Sequence, residues 1–232
     1  MTRPPAAQEP GEAGGRGGGR KQLRGERTRL KIKQALIGLL NDQDFFELTI
    51  ADICGAAHVA TGGFYFHYPK KADLIFEVIQ EHSAAFWAAL DAALHYLDPY
   101  SAIFHAATAL VRAYRDAPGL VRCFNQLAMT DRAYVEIWET AAGKWVARLV
   151  EKLTRSGDVE PGLLTQANAY GLLSFVDLLL FKIYIERDPL LVEAAGGVDE
   201  VIENVAVLWH RALIGHSPPA ARLTFAVRGR GV

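Results

Sequence analysis

The spacing of apolar residues constrains the fold of this chain more than any other feature of its sequence. From Gly25 onward, apolar side chains in most segments recur every three or four residues, which is the period of an amphipathic helix. No segment alternates apolar and polar residues between the turn signals of a hairpin. The pattern therefore predicts an all-α chain of about nine helices.

Helix-breaking residues divide this pattern into segments. Proline, glycine and short polar runs end helices, because they lack a donor, have no stabilising side chain, or bond to the backbone locally. Residues 1–24 are rich in glycine, proline and arginine, so they are expected to form a disordered arm. Residues 216–232 are expected to form a flexible tail. The internal breaks fall at Asn41–Asp44, Asp98-Pro99, Pro118-Gly119, Ser156–Gly162, Pro189 and Gly196-Gly197.

Charge is distributed unevenly along the chain. Residues 1–33 hold nine basic and three acidic residues, a net charge of +6, whereas the whole chain carries −1. The remaining 199 residues therefore carry −7. A basic end on an acidic body suggests a polyanionic partner at that end, although a solvated basic tail would have the same composition.

Motifs for catalysis, metal binding and secretion are missing from the sequence. The two cysteines, Cys54 and Cys123, can form neither a disulfide framework nor a zinc site, and they are expected to be buried thiols. The chain contains no nucleophile elbow, phosphate-binding glycine loop or metal-ligand spacing, which predicts neither enzyme activity nor a cofactor. No signal peptide is visible, and the most apolar run, at 172–185, is short and contains Asp177 and Lys182. A cytoplasmic protein without membrane contact is expected.

Residues 49–68 have the proportions of a helix-turn-helix. Thr49 is a good N-cap, and Ile50, Ile53 and Ala57 form the apolar face of a short helix. The stretch HVATGGFYFHYPKK follows at 58–71. In a helix-turn-helix, the second helix enters the DNA major groove while the first lies across the backbone. Such geometry also occurs in proteins that bind no DNA, so the proportions alone leave both readings open.

The aromatic run in this stretch divides between two faces of the second helix. Helical spacing turns Phe64 and Tyr68 towards the first helix and Tyr65 towards the outside, where its hydroxyl could donate to a phosphate. Gly62 and Gly63 leave room for the backbone to approach DNA closely.

Residues 28–75 resemble the N-terminal domain of the TetR family of bacterial transcriptional regulators. The resemblance rests on the positions Thr49, Ile53, Ala57, Val59, Gly62, Phe64, Tyr65, Tyr68, Lys71 and Leu74. It implies that Thr49, Tyr65 and Lys71 contact phosphates. With their neighbours, the expected DNA-binding residues are Thr49, Ala60, Thr61, Gly62, Gly63, Tyr65, His67 and Lys71.

The sequence departs from the family pattern at three positions. His58 replaces the usual turn glycine, and histidine is one of the less unfavourable residues at a positive φ. Ala60 replaces the usual capping serine, so Thr61 is expected to take over the cap and to shift the helix start by one residue. Tyr68 replaces phenylalanine.

The segment at about 163–187 is apolar nearly all round, which predicts burial on every side. In the family, two such helices pair with their symmetry mates, and a C₂ dimer places two recognition helices one DNA turn apart to read a palindromic operator. A helix buried within a monomer is the alternative. The expected interface consists of Phe175, Leu179, Ile183, Val201, Val205, Leu208 and Trp209.

Family members usually release DNA when a small molecule binds within the helical body. The apolar lining expected here predicts a largely apolar effector. Its contacts are expected among Phe124, Asn125, Trp138, Trp145, Tyr170 and Phe175. The sequence thus predicts a helix-turn-helix DNA-binding domain at 25–75 and a ligand-binding and dimerisation domain at 76–215. The expected function is that of a ligand-responsive transcriptional regulator. A repressor is expected, because most members of the resembled family are repressors. The alternative is an all-α carrier or scaffold for an apolar ligand that does not bind DNA.

Overall fold

The computed structural model describes residues 16–157, 159 and 165–225, and these residues form helices and connecting turns without a strand. Ten α-helices are present in this part of the chain, one more than the sequence predicted. They are α1 Arg16–Leu40, α2 Ile50–Ala57, α3 Thr61–His67, α4 Lys71–Ala93, α5 Pro99–Asp116, α6 Pro118–Ala128, α7 Arg132–Ser156, α8 Gln166–Phe181, α9 Pro189–Ala195 and α10 Val198–Ile214.

Local side-chain chemistry accounts for many of the helix ends. Asp98, Asp131, Thr165 and Asp188 each accept a hydrogen bond from a backbone N–H in the first turn of the helix that follows. Proline begins α5, α6 and α9, where its missing N–H removes no helical hydrogen bond. These caps bear out the predicted starts of α5 and α7. The short helix α9 was not predicted, because its few apolar residues lie between Pro189 and Gly196 and lack a clear period.

The apolar side chains gather into two cores. The first lies among α1 to α4 and also takes in side chains of α6 and the start of α7, including Leu120, Cys123 and Tyr134. The second lies among α4, α5, α7, α8 and α10. α4 is one continuous helix that contributes to both cores. The boundary predicted between residues 75 and 76 therefore falls inside α4.

α6 joins the helical body to the corner between α1 and α2. A Cβ atom added to Gly119 would lie 2.1 Å from the carbonyl oxygen of Leu40, so only glycine allows this approach. The Arg122 guanidinium donates to the Leu40 carbonyl at 2.6 Å, and the Gln126 amide donates to the Asp44 carboxylate at 2.7 Å. These bonds cap the C-terminus of α1 with groups from another helix.

Both ends of the described chain are more ordered than the sequence predicted. α1 begins at Arg16, so residues 16–24 are helical where a disordered arm was expected; residues 1–15 lie outside the described residues. Good helix formers occupy 20–24, and the side chain of Gln22 donates to that of Glu26 one turn later. Their favourable helix propensity exceeds the destabilising effect of the three glycines at 17–19 on the helix.

The segment 216–225 was expected to be a flexible tail but folds back onto the body. The buried carboxylate of Glu203 accepts hydrogen bonds from the backbone N–H groups of Thr224 and Phe225, at 2.6 and 2.7 Å. Arg222 forms a salt bridge with Asp98 at 2.8 Å. The segment has too few apolar residues to predict docking, because polar bonds hold it in place. Residues 226–232 of the predicted tail lie outside the described residues.

α8 continues into a π-helical turn at Lys182–Glu186, which ends at Arg187 in the left-handed conformation. Together, Gln166–Glu186 form one helix of 21 residues that is long and apolar enough to cross a bilayer, by length and composition alone. Only 28% of its most apolar window is buried in the chain. The prediction of burial on every side is therefore not met within a single chain, because α8 lies at the edge of the body.

Candidate nucleic-acid interface

A tight turn joins α2 to α3, as the sequence predicted. His58 follows α2 with φ 54° and ψ 46°, which confirms the positive φ expected for a residue in the place of the usual glycine. Its backbone N–H donates to the carbonyl oxygens of Cys54 and Gly55 and so closes the helix. The turn therefore keeps its geometry without glycine, at the cost of a conformation that a histidine adopts only with some strain.

The start of α3 differs from the prediction. Ala60 is the N-cap residue and provides no side-chain cap, while Thr61 is already the first helical residue. The expectation that Thr61 takes over the cap is therefore wrong, because Thr61 has entered the helix. Burial raises the pKa of the Cys54 thiol on α2, and the nearby Thr61 hydroxyl opposes this rise.

The outer face of α3 begins with a surface free of side chains. A Cβ atom added to Gly62 or to Gly63 would meet no atom within 4 Å. The protein itself therefore does not require glycine at these positions. The open surface is consistent with close approach of an external partner to the α3 backbone.

The aromatic residues of α3 divide as the sequence predicted. Phe64 is fully buried and Tyr68 nearly so, and both lie in the core shared by α1 to α4. Tyr65 is 53% exposed, and Phe66 beside it is 79% exposed. Phe66 was missed, although helical spacing places it well away from the buried Phe64 and could have identified it.

His67 lies against α1 and is only half-exposed. A Cβ atom added to Gly25 would lie 3.7 Å from Cε1 of His67, so the end of α3 closely approaches α1 at a glycine. The ring also contacts Phe66 edge to face, with 5.0 Å between ring centroids. Its expected contact with DNA remains a prediction.

Thr49 caps α2, as predicted, and its hydroxyl already has two partners. Its Oγ1 atom accepts from the backbone N–H of Asp52 at 3.2 Å and donates to the Asp52 carboxylate at 2.5 Å. The hydrogen bond from the Thr49 hydroxyl, and after it the one that the Thr49 backbone N–H donates to the carboxylate, lower the pKa of Asp52. A phosphate near Thr49 would have to compete with this carboxylate for the hydroxyl proton.

The Lys71 side chain points into the protein, which contradicts the prediction that its ammonium faces a phosphate. Its Nζ atom donates to the carbonyl oxygens of Phe45 and Leu48, at 2.7 and 2.6 Å, and lies 4.4 Å from the centre of the Phe45 ring. Burial in this position lowers the pKa of Lys71. The loop carbonyls before α2 attract the ammonium inward, so Lys71 ties the start of α4 to the start of α2.

Lys70 is the exposed cation at this helix start. It occupies the N-cap of α4, where its backbone N–H donates to the Asp73 carboxylate at 3.0 Å, and its side chain has no ion pair among the described residues. The family pattern favoured Lys71 as the phosphate contact. Because the two lysines are adjacent, the sequence does not show which ammonium faces outward; the bonds of Lys71 to loop carbonyls show that it is Lys70.

Ion pairs between α1 and α4 hold α3 in place. Arg29 on α1 donates to the Tyr68 hydroxyl at 3.1 Å and forms a salt bridge with Glu77. Lys33 bridges Glu77 at 2.8 Å and Glu81 at 2.7 Å. Although burial opposes it, these hydrogen bonds lower the pKa of Glu77. The salt bridge with Glu77 thus holds Arg29 in position to bond the hydroxyl of the anchor residue Tyr68.

Comparison with known proteins agrees with this geometry. The family described as "Bacterial regulatory proteins, tetR family" matches residues 32–78, which span the helix-turn-helix and the first part of α4. Residues 32–78 therefore form a TetR-family DNA-binding domain. Such domains occur in transcriptional regulators, which the chain resembles over 72% of its length.

Individual relatives match different amounts of this chain. The HTH-type transcriptional regulator HbdR of Aromatoleum sp. (strain CIB) is 25% identical over 181 residues, or 72% of this chain and 79% of that protein. An uncharacterized HTH-type transcriptional regulator, YxbF of Bacillus subtilis (strain 168), is 32% identical over 73 residues, or 32% of this chain and only 19% of that protein.

Solved structures match the fold of both parts of the chain. The regulator FadR from Bacillus subtilis, in complex with stearoyl-CoA, has a TM-score of 0.63 at 12% sequence identity. The match covers 81% of this chain and 98% of that chain, so the likeness extends from the helix-turn-helix through the helical body.

The residues predicted to bind an effector do not form one group in the helical body. Phe124 and Trp138 lie together, 6.3 Å apart between ring centroids, in a cluster that also contains Phe86 and Trp87. Trp145 packs deeper, beside Trp209.

Three other predicted ligand residues lie elsewhere. The Asn125 side chain donates to the Val121 carbonyl of its own helix, and Tyr170 packs at the edge of the body core. Phe175 is 54% exposed on the outside of α8, so the prediction that it lines a ligand site is contradicted. Its place in the helical repeat of α8 puts its side chain on the face that points away from the body.

Two open grooves border α4. One, of about 740 Å³, lies between α1 and α4, and the other, of about 470 Å³, lies between α4 and α7. None of the six predicted ligand residues lines either groove. The aromatic cluster of Phe86, Trp87, Phe124 and Trp138 is therefore packed closed in this conformation.

The predicted dimer residues divide between the surface and the core. Phe175 and Leu208 are exposed, and Leu179 is half-exposed. In contrast, Ile183, Val201, Val205 and Trp209 are buried within the chain, so the structure contradicts their assignment to a subunit interface. Val201, Val205 and Trp209 lie in the core of the body, where α10 packs mainly against α5. The exposed apolar stripe was missed at Leu178, which is 55% exposed.

Proposed function

We propose that this TetR-family chain is a ligand-responsive transcriptional repressor that acts in the cytoplasm and binds a palindromic operator as a homodimer. The observation that carries the proposal is the division of α3 into a buried anchor and an open outer face. Phe64 and Tyr68 fix the helix, while Gly62, Tyr65 and Phe66 lie exposed on it. A short helix with one face buried in the domain and the other exposed is suited to enter a major groove.

DNA binding is assigned to the outer face of α3 and the adjoining helix ends. The residues proposed to contact DNA are Thr49, Ala60, Thr61, Gly62, Gly63, Tyr65, Phe66, His67 and Lys70. Their contacts would include phosphates for the Tyr65 hydroxyl and the Lys70 ammonium, and a thymine methyl group or the sugar edge for the Phe66 ring.

Selection from a pool of random duplexes, followed by fluorescence anisotropy, tests this assignment. We expect Gly62→Val to abolish operator binding, because the new side chain would stand between the helix and DNA. The fold should be unaffected, because a Cβ atom at Gly62 meets nothing. Gly143→Val is the matched control, since a Cβ atom there also meets nothing but lies on α7 in the body. A wild-type chain that selects no sequence and binds no duplex at low salt would instead support the carrier.

A dimer is proposed through the exposed stripe of α8. Gly171, Ser174, Phe175 and Leu178 are exposed at three- and four-residue spacing, and Leu208 on α10 is exposed as well. The small side chains of Gly171 and Ser174 would let two α8 helices approach closely. A second copy of the stripe would cover apolar surface that water otherwise contacts.

Sedimentation velocity tests the dimer. We expect Leu178→Arg to give a monomer, because it places a charge at the centre of the paired stripe. Leu97→Arg is the matched control, since Leu97 is 97% exposed in the turn before α5. The proposal fails if Leu178→Arg sediments like the wild type, or if the wild type is itself a monomer.

The effector is proposed to be a largely apolar molecule that enters the aromatic cluster between α4, α6 and α7. The Phe86 and Trp138 rings stack at 5.8 Å and would part to admit it. The buried Nε1 atoms of Trp87 and Trp145 have no acceptor among the described residues, so a ligand oxygen could satisfy them. FadR of Bacillus subtilis has been crystallised with stearoyl-CoA, which supports an acyl compound as one class to examine.

Thermal-shift measurements with a panel of acyl-CoA thioesters, free fatty acids and polar metabolites test the effector. We expect acyl compounds to raise the melting temperature, and Trp138→Ala to remove that response. Phe225→Ala is a control aromatic outside the cluster. A response confined to the polar metabolites would refute an apolar effector without affecting the DNA-binding assignment.

A further inference from the structure

Between residues 22 and 40, the basic side chains of α1 fall into two sets. Arg29 and Lys33 form ion pairs with the carboxylates of α4. Arg24, Arg27 and Lys31 are exposed and form no ion pair with any acid in the described part of the chain. Only the second set is therefore free to meet an external anion.

The free set lies along one stripe of the helix. Arg24, Arg27 and Lys31 are three and seven residues apart, which brings them close together on one face. This exposed face points away from the core that Ile32 and Leu36 enter. The three residues form what we call the outer basic stripe.

The outer basic stripe lies beside the interface already described. Gly25, next to Arg24, is in close reach of His67 at the end of α3. Residues 16–24 continue the helix beyond this contact by nine residues, or about 13 Å at 1.5 Å per residue. This projection has four basic residues and no acidic one. The helix of α1 therefore extends past its contact with α3.

Electrostatics favours DNA as the partner of this stripe. Residues 34–232 carry a net charge of −7, so the body repels a polyanion. The positive charge on α1 can offset this repulsion together with the Lys70 ammonium, because α1 contacts the end of the recognition helix.

We propose that the outer basic stripe binds phosphates of the DNA that flanks the site read by α3. The contact extends the bound duplex beyond the bases in the major groove and adds affinity without reading sequence. The inference rests on the proposed function as a DNA-binding regulator.

The test compares two triple variants that remove the same charges. One is Arg24→Gln, Arg27→Gln and Lys31→Gln; the other is Arg112→Gln, Lys144→Gln and Arg187→Gln, which are exposed cations of the body. Both are measured by fluorescence anisotropy against the operator that the wild type selects. The duplex is either limited to the selected core or extended at each end by about one helical turn, about 10 bp.

We expect the stripe variant to flatten the plot of log K against log salt by about 0.9 for each phosphate that it no longer neutralises. The gain in affinity from the flanking duplex should also disappear. The body variant should retain the wild-type slope and the wild-type flank effect. Equal slopes for the stripe variant and the wild type, or a flank effect that survives in the stripe variant, would overturn the inference. A wild type that binds no duplex at all would overturn the proposed function instead.

Discussion

At the scale of single residues, Lys71 shows how contacts distant in sequence decide the role of a side chain. The family pattern and its position at a helix start favour an outward ammonium. The carbonyl oxygens that bind it belong to residues 23 and 26 positions earlier, so no local spacing could indicate them. The resulting hydrogen bonds join the loop before α2 to the start of α4.

Lys71→Ala is expected to destabilise the fold by about 1 to 3 kcal/mol, because two buried carbonyl groups lose a charged donor. Lys70→Ala is expected to change stability by less than about 0.5 kcal/mol, as an exposed substitution does. DNA binding should respond to Lys70→Ala through a flatter salt dependence. Chemical denaturation and anisotropy measure the two effects. Equal stabilities for the two variants would contradict the inward role of Lys71.

Gly119 gives a second prediction at this scale. Gly119→Ala should destabilise the chain by about 1 to 3 kcal/mol, since its Cβ atom would overlap the backbone of Leu40. Gly143→Ala should stabilise it by up to about 1 kcal/mol, since that helical position is open. Thermal unfolding of both variants decides the matter. A neutral Gly119→Ala would mean that α6 can move away from α1 at little cost.

At the scale of elements, the helix-turn-helix was largely predictable and the docked segment at 216–225 was not. Thr49 caps the helix that it precedes, and Phe64 and Tyr68 lie one helical turn apart, so local spacing indicates their capping and burial. Glu203 was not recognisable in advance, because charged residues are rarely buried unless partners far along the chain satisfy them. The apolar stripe of α10 was likewise assigned to a partner subunit. It packs instead against helices of its own chain that lie far from it in sequence.

Glu203→Gln is expected to release the segment at 216–225, because a neutral amide accepts hydrogen bonds more weakly than a carboxylate. We expect a loss of about 1.5 to 3 kcal/mol in unfolding free energy and faster protease cleavage in this segment. Glu193→Gln on α9, an exposed glutamate, provides the control. Unchanged cleavage in Glu203→Gln would show that other contacts suffice.

The salt bridge of the same segment predicts a pH dependence. Although burial opposes it, hydrogen bonds from Ser101 and the Arg222 guanidinium lower the pKa of Asp98 to about 2. A carboxyl with a depressed pKa stabilises the fold above its unfolded value of about 3.9, and this stabilisation is lost as the pH falls towards 2. The difference in stability between the wild type and Asp98→Asn should therefore be constant near neutral pH and shrink below about pH 4. A difference that grows on acidification would contradict this assignment.

At the scale of the whole molecule, the first core joins the DNA-binding helices to α6 and the start of α7. The family resemblance predicted two domains with a boundary at 75/76, and helical periodicity could not correct it because it does not reveal which helices share a core. The contacts of Leu120, Cys123 and Tyr134 with this core are formed across more than forty residues of sequence. Contacts between residues so far apart in sequence can be seen only in the three-dimensional structure.

A fragment of residues 16–93 is therefore expected to lose cooperative thermal unfolding, since it exposes the apolar side chains that α6 covers. A fragment of residues 16–156 retains α6 and α7 and should keep a cooperative transition for the first core. Circular dichroism during heating distinguishes the two. A sharp transition in the shorter fragment would mean that the helix-turn-helix folds independently.

The close approach of Gly119 to the end of α1 also limits how this regulator can be recombined with others. A chimera that joins a foreign DNA-reading segment to this body at residue 75 would place an unrelated helix end against Gly119, Arg122 and Gln126. Those three residues match the carbonyl and carboxylate oxygens of Leu40 and Asp44 in the present chain. A working exchange of operator specificity would have to transplant residues 118–128 together with the first four helices, or confine the change to the outer face of α3.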